Sequence, residues 1–149
     1  MIREATTDDM NDLVRMARKF HGLTDYKEIL PFDASSFMVA IENFITSPTS
    51  EVFVAESSHI HGMAAAIVFP HWWNHGVLVG QELFWWVDEE ARSGRSGIGL
   101  LVALESWAKG KGGKAFSMIH TPNLAPKSLE RFYLKRGYRE WDHVFTKEI

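Results

Sequence analysis

The chain predicts a mixed α/β domain, on three observations. Apolar residues switch repeatedly between helical and strand spacing, in the order βααβββαβαβ. With 149 residues and 46% apolar content, the chain has the size and composition of a single globular domain over residues 1–149. No internal repeat, low-complexity tract or linker interrupts it.

The elements follow in order. "MIREAT" reads as a short strand. "TTDDMNDLVRMARKF" reads as a helix capped by Thr6, Thr7 or Asp8, with Met10, Leu13, Val14 and Ala17 on one face. Gly22 and Pro31 break the pattern, and "ASSFMVAIENFI" resumes as a helix that Asp33 or Ser35 caps and that turns Phe37, Ile41, Phe44 and Ile45 inward. "EVFVAES" and "IHGMAAAIVF" form a hairpin about "SHIH", "PHWWNHG" is a loop, and "VLVGQELFWWVDEE" is a long strand. "GIGLLVALESWAKGKGG" is a helix with a broad apolar face, ended by Gly112-Gly113. "KAFSMI" is a strand, "HTPNLAP" a loop, "KSLERFYLKRG" a helix, and "YREWDHVFTKEI" the closing strand or strands.

Composition narrows the function. A net charge of -3 argues against broad binding to nucleic acid or anionic membranes. The absence of cysteine excludes disulfides, thiolate metal sites and a cysteine nucleophile. The polar, acidic start reads as no signal peptide, and no apolar run reaches the roughly 20 residues of a membrane span. A cytoplasmic domain is expected.

The most informative stretch is "RSGRSGIG", Arg92 to Gly99, between "GQELFWWV" and "LLVALESWA". A helix starting there offers unpaired N–H groups and the positive end of its dipole, and glycine lets a ligand approach them. Such a turn suits a phosphate, with Ser93 or Ser96 adding hydroxyls and Arg92 or Arg95 adding charge. The same residues also fit a tight strand–helix turn with no ligand. Two phosphate motifs fail. Gly99 is followed by Leu100-Leu101 rather than the Lys-Ser/Thr of a P-loop, and the glycine spacing and position do not suit a dinucleotide fold.

From "ELFWWVDEEARSGRSGIGLLVALESWAKGKGG" to "SLERFYLKRGY", the sequence resembles the GCN5-related N-acetyltransferases. Their pattern is a strand ending in Val-Asp, an Arg/Gln-x-x-Gly-x-Gly/Ala turn, a helix, a strand, and a helix carrying Phe-Tyr-x-Lys-x-Gly. The wording resembles in particular small acetyltransferases of tailed bacteriophages. The first half matches only in element order. Gly94 stands where the pattern has Arg or Gln, Glu90-Ala91 replaces a proline turn, and Asn123 sits further before Tyr133 than usual.

The resemblance implies a twisted, mostly antiparallel sheet of six or seven strands flanked by about four helices. It implies acetyl transfer from acetyl-coenzyme A to an amine of a small molecule or protein, by direct attack in a ternary complex and without a metal. Backbone at Trp86 and Val87 would pair with the pantetheine arm. Gly94, Ser96, Gly97, Ile98 and Gly99, with Arg92 or Arg95, would hold the pyrophosphate, and Asn123 and Ser128 would complete the cofactor site. Tyr133 matches the tyrosine that protonates the departing thiolate; otherwise it is a core residue with a bonded tip. A competing reading is a docking protein on the same fold that binds a host protein, if the chain is phage-encoded. A monomer or a homodimer suits either.

Glu82 lies within an apolar run, where a carboxylate is costly without a task or a partner. Strand alternation places Glu82, Phe84 and Trp86 on one face. Burial would raise the Glu82 pKa toward neutrality, which suits a base; a structural salt bridge or an exposed edge position is the alternative. His120 ends the following strand and can reach a cleft. His71 and His75 are four apart, but tryptophans intervene and no carboxylate is near, so no metal site is predicted. Trp72 and Trp73 suit an aromatic wall for an ammonium group or simple packing, and Tyr26 and Phe32 can floor an acceptor pocket.

Overall fold

The computed structural model describes residues 1–119 and 127–149. Five strands form one sheet in the order β1-β2-β3-β4-β5: β1 (Ile2–Glu4), β2 (Ser50–Glu56), β3 (Ile60–His71), β4 (Asn74–Val87) and β5 (Phe116–Ser117). All pairings are antiparallel except β4 with β5. Helices α1 (Met10–Leu23) and α2 (Ala34–Thr46) cover one face, and α3 (Ser96–Gly110) covers the other. Helix α4 (Lys127–Lys135) joins the α3 side through Phe132, which stacks on Trp85, and Tyr133, whose ring lies tilted against it.

Period-two burial makes the sheet two-faced. Val52, Val54, Met63 and Ala65 pack under α1 and α2, while Phe53, Ala55, Ala64 and Ala66 pack under α3. Leu13, Met16 and Ile41 are fully buried in the first layer, and Leu100 and Leu104 in the second. A 3-10 turn at Thr7–Asp9 precedes α1. The Asp9 carboxylate accepts the Thr6 N–H at 2.8 Å and two Arg3 hydrogen bonds at 2.7 and 2.8 Å. Arg3 also bonds Glu56, so this cluster ties the start of α1 to β1 and β2. Asp33 caps α2 by accepting the Ser36 N–H at 2.6 Å.

The mixed sheet and the four helices agree with the sequence reading, but three strand expectations need correction. "PHWWNHG" is not a loop: pairing continues to His71↔Asn74, leaving only Trp72-Trp73 as the turn. The strand in "KAFSMI" is reduced to Phe116–Ser117, because β4 diverges from it. No closing strand follows α4, so the sheet has five strands rather than six or seven among the described residues. In that tail, His143 bonds Glu140 and Arg139 stacks over Trp141; β5 is too short to template a ladder there. No helix among the described residues is long and apolar enough to cross a membrane.

Gly80 sits where β4 and β5 meet α3. A Cβ there would lie 2.6 Å from the Phe116 ring and 2.9 Å from the Ala108 Cβ. Gly80→Ala is therefore expected to destabilise by about 2 kcal/mol through overpacking, lowering Tm by roughly 6 °C. Thermal denaturation followed by circular dichroism checks this; an unchanged Tm would mean the contact relaxes freely.

Candidate active site

Strand β4 carries one residue too many. Ala65 faces Phe84 and Ala66 faces Glu82, so Leu83 has no partner on β3. This bulge resets the alternation. Leu83, Phe84 and Trp86 pack toward α1 and α2, whereas Trp85 and Val87 pack toward α3. Glu82 belongs with the second set, since Gly80 two residues earlier abuts Ala108 of α3. The expectation that Glu82, Phe84 and Trp86 share a face is thus overturned by a single extra residue.

The same place opens the sheet. Strands β4 and β5 pair only at Gly80↔Phe116 and Gln81↔Ser117. One step further along a parallel ladder, the Ile119 N–H would bond the Glu82 carbonyl. It bonds the Glu82 carboxylate instead, at 2.9 Å from Oε2. Beyond that point no strand pairs with this edge of β4 among the described residues, and the edge is open there. The Asp88 N–H bonds the His61 carbonyl at 2.8 Å, which fixes the ladder: peptide groups of Trp86 face β3, and those of Trp85 and Val87 face the open edge. Val87 therefore presents its peptide groups to the edge where the sequence reading expects a pantetheine arm. Trp86 is not, because β3 uses its backbone and its ring packs 5.4 Å from Phe20.

Two titratable groups meet in the gap. Glu82 is 4% exposed, and burial pushes its pKa up to about 7 against the opposing effect of the Ile119 N–H. Tyr133 is also buried, and its pKa is raised, mainly by burial and further by the negative charge of Glu82. The Tyr133 ring lies 6.2 Å from Trp85 and 5.5 Å from Tyr138. Glu105 of α3 accepts from the Tyr138 hydroxyl at 2.7 Å and from Arg136 at 2.8 Å, anchoring the end of α4. Glu82 and Tyr133, the two residues singled out for chemistry, thus lie on neighbouring walls.

The glycine turn forms the third wall. Helix α3 starts at Ser96, and its first internal bond runs from the Gly99 N–H to the Arg95 carbonyl at 2.8 Å. The N–H groups of Ser96, Gly97 and Ile98 have no helical partner. Arg95 occupies the N-cap, and a guanidinium offers no acceptor for them. Two expected contacts are spoken for: the Gly99 amide by Arg95, and the Gly94 amide by the Ala91 carbonyl at 3.1 Å. Arg92 is engaged as well, donating to the Val87 carbonyl at 2.9 Å with its guanidinium 4.6 Å from the Trp86 ring centre. Arg95 makes no side-chain hydrogen bond or ion pair among the described residues.

The remaining candidates scatter. Ser128 lines a shallow cavity of about 330 Å³ on α4 with Arg131, Phe132 and Lys135. Phe32 connects through Phe37 to Phe84, at 5.8 and 6.2 Å, and so reaches the bulge from the other face. Tyr26 is half-exposed on the turn after α1. Trp72 and Trp73, 77% and 83% exposed, stand at the hairpin tip beyond His71, about 17 Å along β3 from the Ala66 that faces Glu82. They are too far away to wall the same pocket. His120 and Asn123 lie outside the described residues. No cluster of three or more metal-ligating side chains occurs among the described residues.

Sequence reasoning missed three residues. Asp88, 1% exposed, ends β4 and accepts from Arg15 at 2.7 Å, Lys19 at 3.1 Å and Trp86 at 3.3 Å, locking α1 to the turn. Trp85 donates its indole N–H to the Gly97 carbonyl at 3.1 Å. His61 bonds Ser96. The signal for His61 was available: a polar residue inside the apolar run "IHGMAAAIVF", the same anomaly that marks Glu82.

No family model matches the sequence, and no curated protein matches it. Solved structures do. A transcriptional regulator from Bacillus halodurans C-125 superposes with a TM-score of 0.78 at 22% identity, covering 100% of this chain and 99% of its own. An aminoglycoside acetyltransferase, meta-AAC0020, from an uncultured soil metagenomic sample in complex with sisomicin gives 0.72 at 16% identity, covering 100% and 95%. AAC(6')-Iy, in complex with the bisubstrate analog CoA-S-monomethyl-acetylneamine, gives 0.74 at 16% identity, covering 100% and 97%. The chain has the fold of the GCN5-related N-acetyltransferases.

The burial of Glu82 has a consequence for stability. Its folded pKa of about 7 exceeds its ordinary value of 4.5, so its contribution is complete below pH 4.5 and is lost as pH rises through about 7. The loss amounts to about 3 kcal/mol. Glu82→Gln retains an acceptor for Ile119 and abolishes this loss. Urea unfolding at pH 5 and pH 8 is expected to show the variant gaining on the wild type at pH 8; an equal difference at both values would refute the buried assignment.

Proposed function

We propose that this chain is an N-acetyltransferase that moves an acetyl group from acetyl-coenzyme A to the amine of a small molecule. The observation that carries the reading is the juxtaposition, among the described residues, of an uncapped helix N-terminus, an open β4 edge and a buried carboxylate whose charge is felt by a buried tyrosine. The fold shared with aminoglycoside acetyltransferases, one of them in complex with a coenzyme A bisubstrate analog, supports it.

The residues fit an extended ligand with a phosphate at one end. The N–H groups of Ser96, Gly97 and Ile98 would receive the pyrophosphate, with Arg95 adding charge. The edge-facing peptide groups of Trp85 and Val87 would bond the amides of the pantetheine arm as a strand would. When bound, acetyl-coenzyme A supplies an activated acyl group with a thiolate leaving group. The chain's own residues do the rest. Glu82 takes a proton from the acceptor ammonium, directly or through water, so that the amine nitrogen can attack the acetyl carbon. An edge N–H of β4 stabilises charge developing on the carbonyl oxygen. As the carbon–sulfur bond breaks, Tyr133 gives its hydroxyl proton to the departing sulfur, and the surplus proton on the newly bonded nitrogen restores the hydroxyl, leaving a neutral amide and a thiol. Burial suits both groups: it brings Glu82 to a basicity near neutral pH and keeps Tyr133 protonated.

Calorimetric titration with acetyl-coenzyme A tests the binding half. Gly97→Asp places a carboxylate among the free N–H groups, and affinity is expected to fall at least about tenfold, 1.4 kcal/mol. Equal binding by wild type and variant would remove the turn from the site. Acetylation of a panel of polyamines and aminoglycosides tests the chemistry. Wild-type kcat/KM should rise with pH through about 7, and Glu82→Gln should lower kcat roughly 10²- to 10⁴-fold and abolish that rise. Tight cofactor binding with no transfer to any amine would favour a docking protein.

A further inference from the structure

His61 lies in β3, 8% exposed, behind the first turn of α3. Its Nε2 is 2.9 Å from the Ser96 hydroxyl oxygen. Its Nδ1 is 3.2 Å from the His59 carbonyl oxygen and 3.5 Å from the Ser57 hydroxyl. A carbonyl only accepts, so Nδ1 carries the hydrogen. In the neutral ring Nε2 is then bare, and Ser96 must donate its hydroxyl hydrogen inward. The oxygen lone pairs are left at the same helix end as the free N–H groups, where they oppose an anion. A proton on Nε2 reverses the bond: Nε2–H donates to the Ser96 oxygen, and the hydroxyl hydrogen is released to turn outward as a further donor.

The surroundings make the protonation state responsive to an anion. His59 stands edge-on, 5.9 Å between ring centres. From α3 come Ser96 and the N-cap residue Arg95. From β4 comes Asp88, whose N–H holds the His61 carbonyl while its carboxylate is taken by Arg15, Lys19 and Trp86. From α1, Arg15 bonds the Ile60 carbonyl, and on β2 Glu56 faces Ile60 and is paired with Arg3. No carboxylate bonds the imidazole among the described residues. A phosphate at that helix end would bring negative charge to the Ser96 hydroxyl that His61 Nε2 contacts.

We infer that His61 is a positioning residue for the phosphate: it takes up a proton as the anion binds and, through Ser96, turns a misdirected hydroxyl into a donor. The inference rests on the pyrophosphate site proposed above and adds a residue that does not touch the ligand.

Dephospho-coenzyme A is the probe. Its pyrophosphate stays ionised, and it lacks the phosphomonoester that would itself titrate near pH 6. Calorimetry of the wild type in two buffers of different ionisation enthalpy should give net proton uptake, with affinity falling by up to about tenfold per pH unit as pH rises through the histidine range. Ser96→Ala should bind with no uptake and a flatter pH profile. His61→Gln, which can donate and accept, should behave likewise. Binding without proton uptake by the wild type, or undiminished uptake by Ser96→Ala, would overturn the role of His61 and leave the phosphate site standing. Failure of folded wild type to bind the probe would overturn the site itself.

Discussion

Leu83 is a surplus residue in β4, and most of the site's geometry follows from it. A regular strand would keep Glu82, Phe84 and Trp86 on one face and continue its ladder with β5. The extra residue turns Phe84 and Trp86 toward α1 and α2 while leaving Glu82 on the side of α3 and α4. It also increases local twist, and β5 stops following after Ser117. One irregularity therefore produces both the carboxylate and the gap beside it. Without the bulge, the peptide groups of Trp85 and Val87 would face the opposite way, toward β3.

The acids buried among the described residues show why Glu82 differs. Asp9 is matched by Arg3, which holds its carboxyl below the usual range. Asp88 is desolvated by burial, but Arg15, Lys19 and the Trp86 indole more than offset that and keep its pKa low. Each is a structural tie: Asp9 joins α1 to β1, and Asp88 joins α1 to the end of β4. Among the described residues, Glu82 accepts one backbone N–H and has no cation bonded to it. Its charge is left under-compensated, which is the condition for moving a proton near neutral pH. The fold spends its cations on the acids that hold it together.

Much of this was legible in the sequence, for physical reasons. Helical spacing in α1 and α2 requires a continuous stripe, and Leu13, Ile41 and their neighbours supplied one. The glycine turn was legible because glycine where a strand meets a helix leaves few alternatives, and Glu82 because a carboxylate in an apolar run is anomalous. The bulge was not legible: no residue in "GQELFWWV" marks a surplus position, and alternation assumes its absence. The fate of individual turn residues was equally hidden. Arg92 and Arg95 look interchangeable in "RSGRSG", yet one is fastened to the Val87 carbonyl and the other is not. The closing strand failed for a different reason. "EWDHVFTKEI" has strand-like composition, but a strand exists only where a neighbour presents a ladder, and β5 presents two residues.

Hydrogen bonding at the open edge constrains where affinity can come from. The Val87 carbonyl already accepts from Arg92, and the Gly97 carbonyl accepts from the Trp85 indole. An amide arriving at Val87 exchanges one hydrogen bond for another, and such an exchange nets little. The free N–H groups of Ser96, Gly97 and Ile98 are different. They have no partner among the described residues, and the charge-assisted bonds they would form with an anion are about twice as strong as neutral ones. On the proposed function, binding energy in this cleft would be concentrated at the helix end, while the strand edge would fix register. On the function proposed above, that division would suit a transferase: an arm anchored at its phosphate and aligned along β4 would bring its reactive end to the bulge, where the charge of Glu82 is felt by Tyr133.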